Sequence, residues 1–132
     1  MNIMQRYCLK DKEGFSVVHN SAQWRVAVHR YNIAANSISA LKEWGRHLDS
    51  EEAFILLTGS AVLAIKDAQQ VEIENMQPET LYVVAQNQRH ALVLSPDSIV
   101  FIMENRDMSR FVTEPLDTET IQRMQAALAP QG

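Results

Sequence analysis

Short β-like segments, each followed by a polar turn, succeed one another through most of this chain of 132 residues. The clearest covers residues 24–31, where apolar and polar side chains alternate as they do in a strand with one buried face. Similar segments cover residues 3–9, 15–19, 38–47, 54–57, 61–66, 71–74, 81–85, 90–94 and 99–104. Many short strands with regular turns are typical of a sandwich or barrel, so the sequence predicts an all-β fold.

Two segments depart from simple alternation. Residues 54–57 are apolar at every position, which favours a strand buried on both faces. Near the C-terminus, Asp117 can cap a helix, and Ile121, Met124 and Leu128 follow at helical spacing on one face. The sequence therefore predicts a terminal helix over about residues 117–129, packed on the barrel or on a partner.

Length, charge and cysteine content narrow the class of protein. A chain of this length is expected to form one domain, residues 1–132, with its barrel over about residues 24–105. The net charge of −4, with lysines and arginines scattered, argues against a nucleic-acid partner, and no apolar run is long enough to span a membrane. Cys8 is the single cysteine, so an intrachain disulfide is excluded and a cytoplasmic location is expected.

Residues 45–59, which include the polar turn at residues 48–51, resemble the first sequence motif of the cupins. His47 stands at the second His of that motif, Glu52 follows after four residues, and Gly59 follows after six more. Gly45 stands where the motif has its first His.

A second stretch, residues 82–90, is similar to the second cupin motif and ends in His90. Over about residues 24–113 the chain resembles small, stand-alone bacterial cupin-like proteins in particular. The resemblance implies a double-stranded β-helix, the jelly-roll barrel of the cupins, with a pocket inside the barrel, in addition to the short C-terminal helix predicted above.

The resemblance also implies a metal site made of His47, Glu52 and His90. Two imidazoles and a carboxylate suit a divalent metal such as Fe, Zn, Mn or Ni. The alternative is a metal-free pocket, in which His47 and Glu52 form a hydrogen-bonded pair and His90 is an interior histidine with satisfied partners.

Four further side chains are expected to line the pocket. Glu104 is expected to bind hydroxyl groups, and Trp44 and Tyr82 to offer flat surfaces to a ring. Glu43 lies on the same strand face as His47 and is an alternative ligand for the metal. His19 and His29 lie in strand patterns without a carboxylate at useful spacing, so they are interpreted as structural or exposed.

Three classes of function remain open from the sequence. The first is a metal-dependent enzyme acting on a small sugar-like or carboxylic molecule. The second is a metal-free binding or sensing module that uses the same pocket, and the third is a structural homodimer without catalysis. The resemblance implies a homodimer in any case, because small cupins often pair through an apolar sheet face.

Overall fold

Ten strands, a short 3-10 turn and a helix make up residues 4–128, the part of the chain that the computed structural model describes. The strands are β1 (Phe15–Asn20), β2 (Trp24–Arg30), β3 (Glu43–His47), β4 (Glu52–Thr58), β5 (Ala61–Lys66), β6 (Val71–Asn75), β7 (Leu81–Val84), β8 (Arg89–Leu94), β9 (Ile99–Asn105) and β10 (Phe111–Pro115). The 3-10 turn covers Ile38–Ala40, and helix α1 covers Thr118–Leu128. The predicted all-β fold with a short C-terminal helix is confirmed.

The strands form two five-stranded sheets whose named pairings are all antiparallel. The first sheet has the order β1-β2-β9-β4-β7 and the second has the order β10-β3-β8-β5-β6. Their inner faces share one apolar cluster, in which Phe54 and Ile102 of the first sheet pack with Leu63 and Leu94 of the second. Because the chain crosses from one sheet to the other between β3 and β4, residues at that crossing can reach both layers.

Helix α1 covers the outer face of the second sheet only. A second apolar cluster joins Met124 of the helix to Trp44, Val62 and Val93 of the sheet. Asp117 caps the helix as predicted, since the backbone N–H of Thr120 donates to its carboxylate at 3.0 Å. Position 129, the end of the predicted helix, lies outside the described residues. No helix within residues 4–128 has the length and apolar character needed to span a membrane.

The strand buried on both faces is β5, not the predicted segment 54–57. Four consecutive residues of β5 are buried, because the inner cluster covers one face and α1 covers the other. In β4 the inner residues Phe54 and Leu56 are buried, but Leu57 is 46% exposed. The prediction was wrong here because the apolar run does not say which sheet the helix covers.

Two predicted strands differ from the structure, and one strand was not predicted. Residues 4–9 have no strand and contact β1 and β2 through side chains, such as the bond from Arg30 Nε to the Leu9 carbonyl at 3.1 Å. Position 3 lies outside the described residues. Within residues 38–47 only the second half is a strand, because Ser37 and its neighbours bend the backbone with local hydrogen bonds.

β10 is an additional edge strand, where Pro115 is tolerated as the last residue.

Candidate functional site

The structure brings the three residues of the predicted metal site together at the crossing between the sheets. His47 is the last residue of β3 and Glu52 the first of β4, while His90 lies in β8 beside β3. Glu52 Oε1 lies 2.5 Å from His47 Nε2 and 3.2 Å from His90 Nε2. One ligand atom from each residue lies within 4.8 Å of the others, and all three side chains are buried.

This cluster lines a cavity of about 600 Å³ between the two sheets. Rings and aliphatic side chains, among them Phe15, Phe111 and Met108, form part of its wall. The polar and charged side chains of the wall are Arg25, His29, Asn36, Ser37, Lys42, Glu43, His47, Glu52, His90 and Glu104. A cavity of this size is typical of sites for small molecules.

Of the four side chains expected to line the pocket, Glu43 and Glu104 lie in its wall and the two aromatic ones do not. Trp44 points to the opposite face of β3 and packs under helix α1, as strand alternation requires. Tyr82 faces the barrel interior, but it packs on the apolar cluster, and its hydroxyl accepts a hydrogen bond from the Gln77 backbone at 2.7 Å. The expectation for Trp44 and Tyr82 was therefore wrong.

Arg25 belongs to the site, although no motif or spacing singled it out. Its Nε and Nη2 atoms both donate to Oε2 of Glu104, at 2.7 and 2.5 Å. Oε1 of Glu104 is left facing His47 Nε2 at 3.7 Å. Both side chains are largely buried, so this ion pair holds a carboxylate oxygen at a fixed position beside the cluster.

His29 also lines the cavity, which corrects its interpretation as a structural or exposed residue. Its ring packs against Phe15 at a centroid distance of 4.8 Å, and its Nδ1 atom is buried without a hydrogen-bond partner among the described residues. Alternation along β2 places Arg25 and His29 on one face, and that pattern was the available signal. It does not reveal which face is inside.

The charges of His47 and Glu52 support each other. Burial alone would lower the pKa of His47, but the hydrogen bond and charge of Glu52, with a smaller effect of Glu104, raise it above its ordinary value. Burial would raise the pKa of Glu52, yet the hydrogen bonds from His47 and His90 lower it to about 2. The contact therefore stabilises the charged form of each side chain.

The neighbouring groups are shifted mainly by burial. Burial and the charge of Glu52 raise the pKa of Glu104, against the opposing effect of Arg25. Burial lowers the pKa of His29 to about 4, although the charge of Glu52 acts in the other direction. His29 is therefore a neutral imidazole near pH 7, in which one ring nitrogen can donate a hydrogen bond and the other can accept one.

The donor set fits a divalent cation. Two imidazole nitrogens and a carboxylate oxygen converge from buried side chains, as in metal sites that keep open positions for a ligand. Nδ1 of His90 lies 3.4 Å from the Gln88 carbonyl, an orientation that leaves Nε2 directed at the cluster. The two imidazoles now contact the Glu52 carboxylate directly, and a cation would replace these contacts when both imidazoles are deprotonated.

No family model matches the chain, and no curated protein is similar to it in sequence. Solved structures are similar in fold. An RmlC-like cupin family protein with a double-stranded β-helix fold from Methanocaldococcus jannaschii has 15% identity and a TM-score of 0.55, over 80% of this chain and 93% of that one. A variant of PAC13 from Streptomyces, solved with uridine, has 11% identity and a TM-score of 0.62, over 89% of this chain and 95% of that one.

A third similar structure is the Fe(II) form of HppE with an alternative substrate, at 13% identity and a TM-score of 0.50. The alignment covers 69% of this chain but only 48% of HppE, so this chain spans about half the length of that protein. These likenesses, together with the two facing sheets and the interior cavity, establish the architecture. The chain has the double-stranded β-helix fold of the cupin superfamily.

Proposed function

We propose that this protein binds a divalent metal through His47, Glu52 and His90 and presents it to a small molecule in the barrel cavity. The observation that carries the proposal is the convergence of one ligand atom from each of the three residues within 4.8 Å of the others, on buried side chains that line a cavity. The short crossing between the sheets joins His47 to Glu52, but His90 is distant in the sequence and reaches them only because β8 pairs with β3.

A bound divalent cation would supply Lewis-acid polarisation of a ligand oxygen or activation of a water molecule. Around it, Glu104 holds one carboxylate oxygen toward the centre because Arg25 binds the other. His29 lies in the cavity wall, and its buried Nδ1 atom has no hydrogen-bond partner within residues 4–128. These groups orient a ligand and accept or donate its hydrogen bonds.

The ligand we propose is a small sugar-like or carboxylic molecule. Carboxylates such as Glu43 and Glu104 accept hydrogen bonds from hydroxyl groups, while Arg25 and Lys42 offer positive charge to an acid. Among the similar structures, PAC13 was solved with uridine and HppE with Fe(II) and a substrate. Those ligands belong to those proteins, and they support a small-molecule site in this kind of barrel.

A second candidate is a metal-free binding module. The hydrogen bond of 2.5 Å between His47 and Glu52 favours it, because this pair is already satisfied without a cation. In that case the same cavity binds its ligand through hydrogen bonds alone, and the charged pair stabilises the barrel.

Metal analysis of protein purified without chelator separates the two candidates. The proposal expects stoichiometric Fe, Zn, Mn or Ni that is lost in His47→Ala and in His90→Ala. His19→Ala is the matched control, because His19 is half-buried outside the cavity wall and its Nδ1 atom is hydrogen-bonded to the Tyr7 hydroxyl. Protein that contains no metal and takes up none from added Zn²⁺ or Fe²⁺ would favour the metal-free module.

A further inference from the structure

Gly45 lies on the cavity face of β3, directly opposite His90 in the ladder that joins β3 to β8. A Cβ atom at this position would lie 3.8 Å from Nε2 of His90, which is one of the ligand atoms of the proposed centre. A longer side chain at position 45 would therefore enter the centre itself. The strand also puts position 45 on the same face as His47, two residues away.

The ring of Phe111 occupies this space. β10 pairs with β3 so that Phe111 is opposite His47, and the two rings lie 4.9 Å apart between centroids. A Cβ atom at position 45 would lie 2.7 Å from Cζ and 2.9 Å from Cε2 of Phe111, closer than such atoms approach one another. The ring can take this position only because residue 45 has no side chain.

We propose that Gly45 and Phe111 are a coupled pair that limits the protein to three ligands at the centre and makes one side of it apolar. The inference rests on the proposed metal site. A hydrocarbon ring cannot coordinate a cation, so Phe111 covers the side from which a residue at position 45 would bind. A small molecule then approaches from another side and packs against the ring, which makes Phe111 a specificity-determining residue.

The test compares the wild type with Gly45→His, Phe111→Ala and the double variant. Without metal, Gly45→His should lower the Tm by about 4 °C or more, because the imidazole and the ring compete for one space. Adding Phe111→Ala should recover most of that loss. In Zn²⁺ titrations the double variant should bind at least about tenfold more tightly than Phe111→Ala, since it gains a fourth ligand.

Arg46→His is the matched control, because alternation turns position 46 to the opposite face of β3, where Arg46 contacts Glu114. An imidazole added there should leave the Zn²⁺ affinity at the wild-type value. The inference is overturned if Gly45→His is as stable as the wild type and binds Zn²⁺ as tightly as the double variant, because the Phe111 ring would then move aside at no cost in stability. Wild-type protein that binds no Zn²⁺ would refute the proposed centre instead, and the metal-free Tm comparison would still decide whether the pair is coupled.

Discussion

Oε1 of Glu52 lies 2.5 Å from Nε2 of His47, although the two residues belong to different sheets. The chain leaves the second sheet at the end of β3 and enters the first at the start of β4. One short connection therefore joins the two layers and puts an acid and a base in contact. The candidate site is built on this crossing.

Glu52→Gln tests the carboxylate as a ligand. The amide keeps the size of the side chain but loses the charge, so Zn²⁺ should bind at least about tenfold more weakly, as measured by calorimetry. Glu43→Gln changes a carboxylate that lies in the same cavity wall but outside the cluster, and it should keep the wild-type affinity. An unchanged affinity in Glu52→Gln, with only a loss of about 1–3 kcal/mol in the free energy of unfolding, would assign this residue a structural role.

Glu104→Gln should destabilise the protein by about 2 kcal/mol, because it leaves the largely buried guanidinium of Arg25 without its counter-charge. The free energy of unfolding in urea measures this. Glu114→Gln is the control, since Glu114 forms an ion pair of the same length with Arg89 at the surface, where solvent screens the charges. Equal losses in the free energy of unfolding for the two substitutions would show that burial does not strengthen the contribution of the Arg25–Glu104 pair to stability.

His29 should make the protein less stable in mild acid. The pKa of His29 is about 4 in the folded chain and near 6.5 in the unfolded chain, so the unfolded state takes up the proton first. The free energy of unfolding should therefore fall as the pH drops from 6.5 to 4, by up to about 3 kcal/mol. In His29→Gln this part of the loss of stability should be absent. Protonation of Glu52 is a separate cause of lost stability, which begins only as the pH falls below the ordinary pKa of 4.5 and continues down to the pKa of about 2 in the folded chain. Parallel pH profiles of the two proteins would contradict the assignment.

The homodimer stays a prediction, and the structure offers a face on which to test it. The outer side of the first sheet exposes the apolar side chains of Leu57, Leu81, Val83 and Met103. If two chains pair there, Val83→Lys should convert a dimer to a monomer in analytical ultracentrifugation at micromolar concentration. Ile33→Lys, at an exposed apolar residue in a loop, should leave the dimer intact. A monomeric wild type would end the prediction.

The sequence anticipated what local pattern and spacing determine. His47 and Glu52 were paired because a short connection separates two strands, and Asp117 was identified as a cap because capping is local. His90 was added through the resemblance, and the structure places its Nε2 atom 3.2 Å from Glu52.

What the sequence missed depends on which strands become neighbours. Arg25 enters the site because β2 pairs with β9, which puts it opposite Glu104. Phe111 reaches the centre only through the pairing of β10 with β3. Trp44 was assigned to the pocket by its chemistry, although alternation along β3 already turned it away from His47.

The crossing between the sheets has one more consequence. His90 is anchored in one layer and Glu52 in the other, so any occupant that both residues hold acts as a cross-link through the middle of the barrel. Occupancy and the opening motions of the barrel are then thermodynamically linked, because an occupant that binds only the closed form stabilises it by mass action. Amide hydrogen exchange in β4 and β8 should accordingly slow when the cavity is filled, which makes backbone protection a way to detect ligands whose chemistry is unknown.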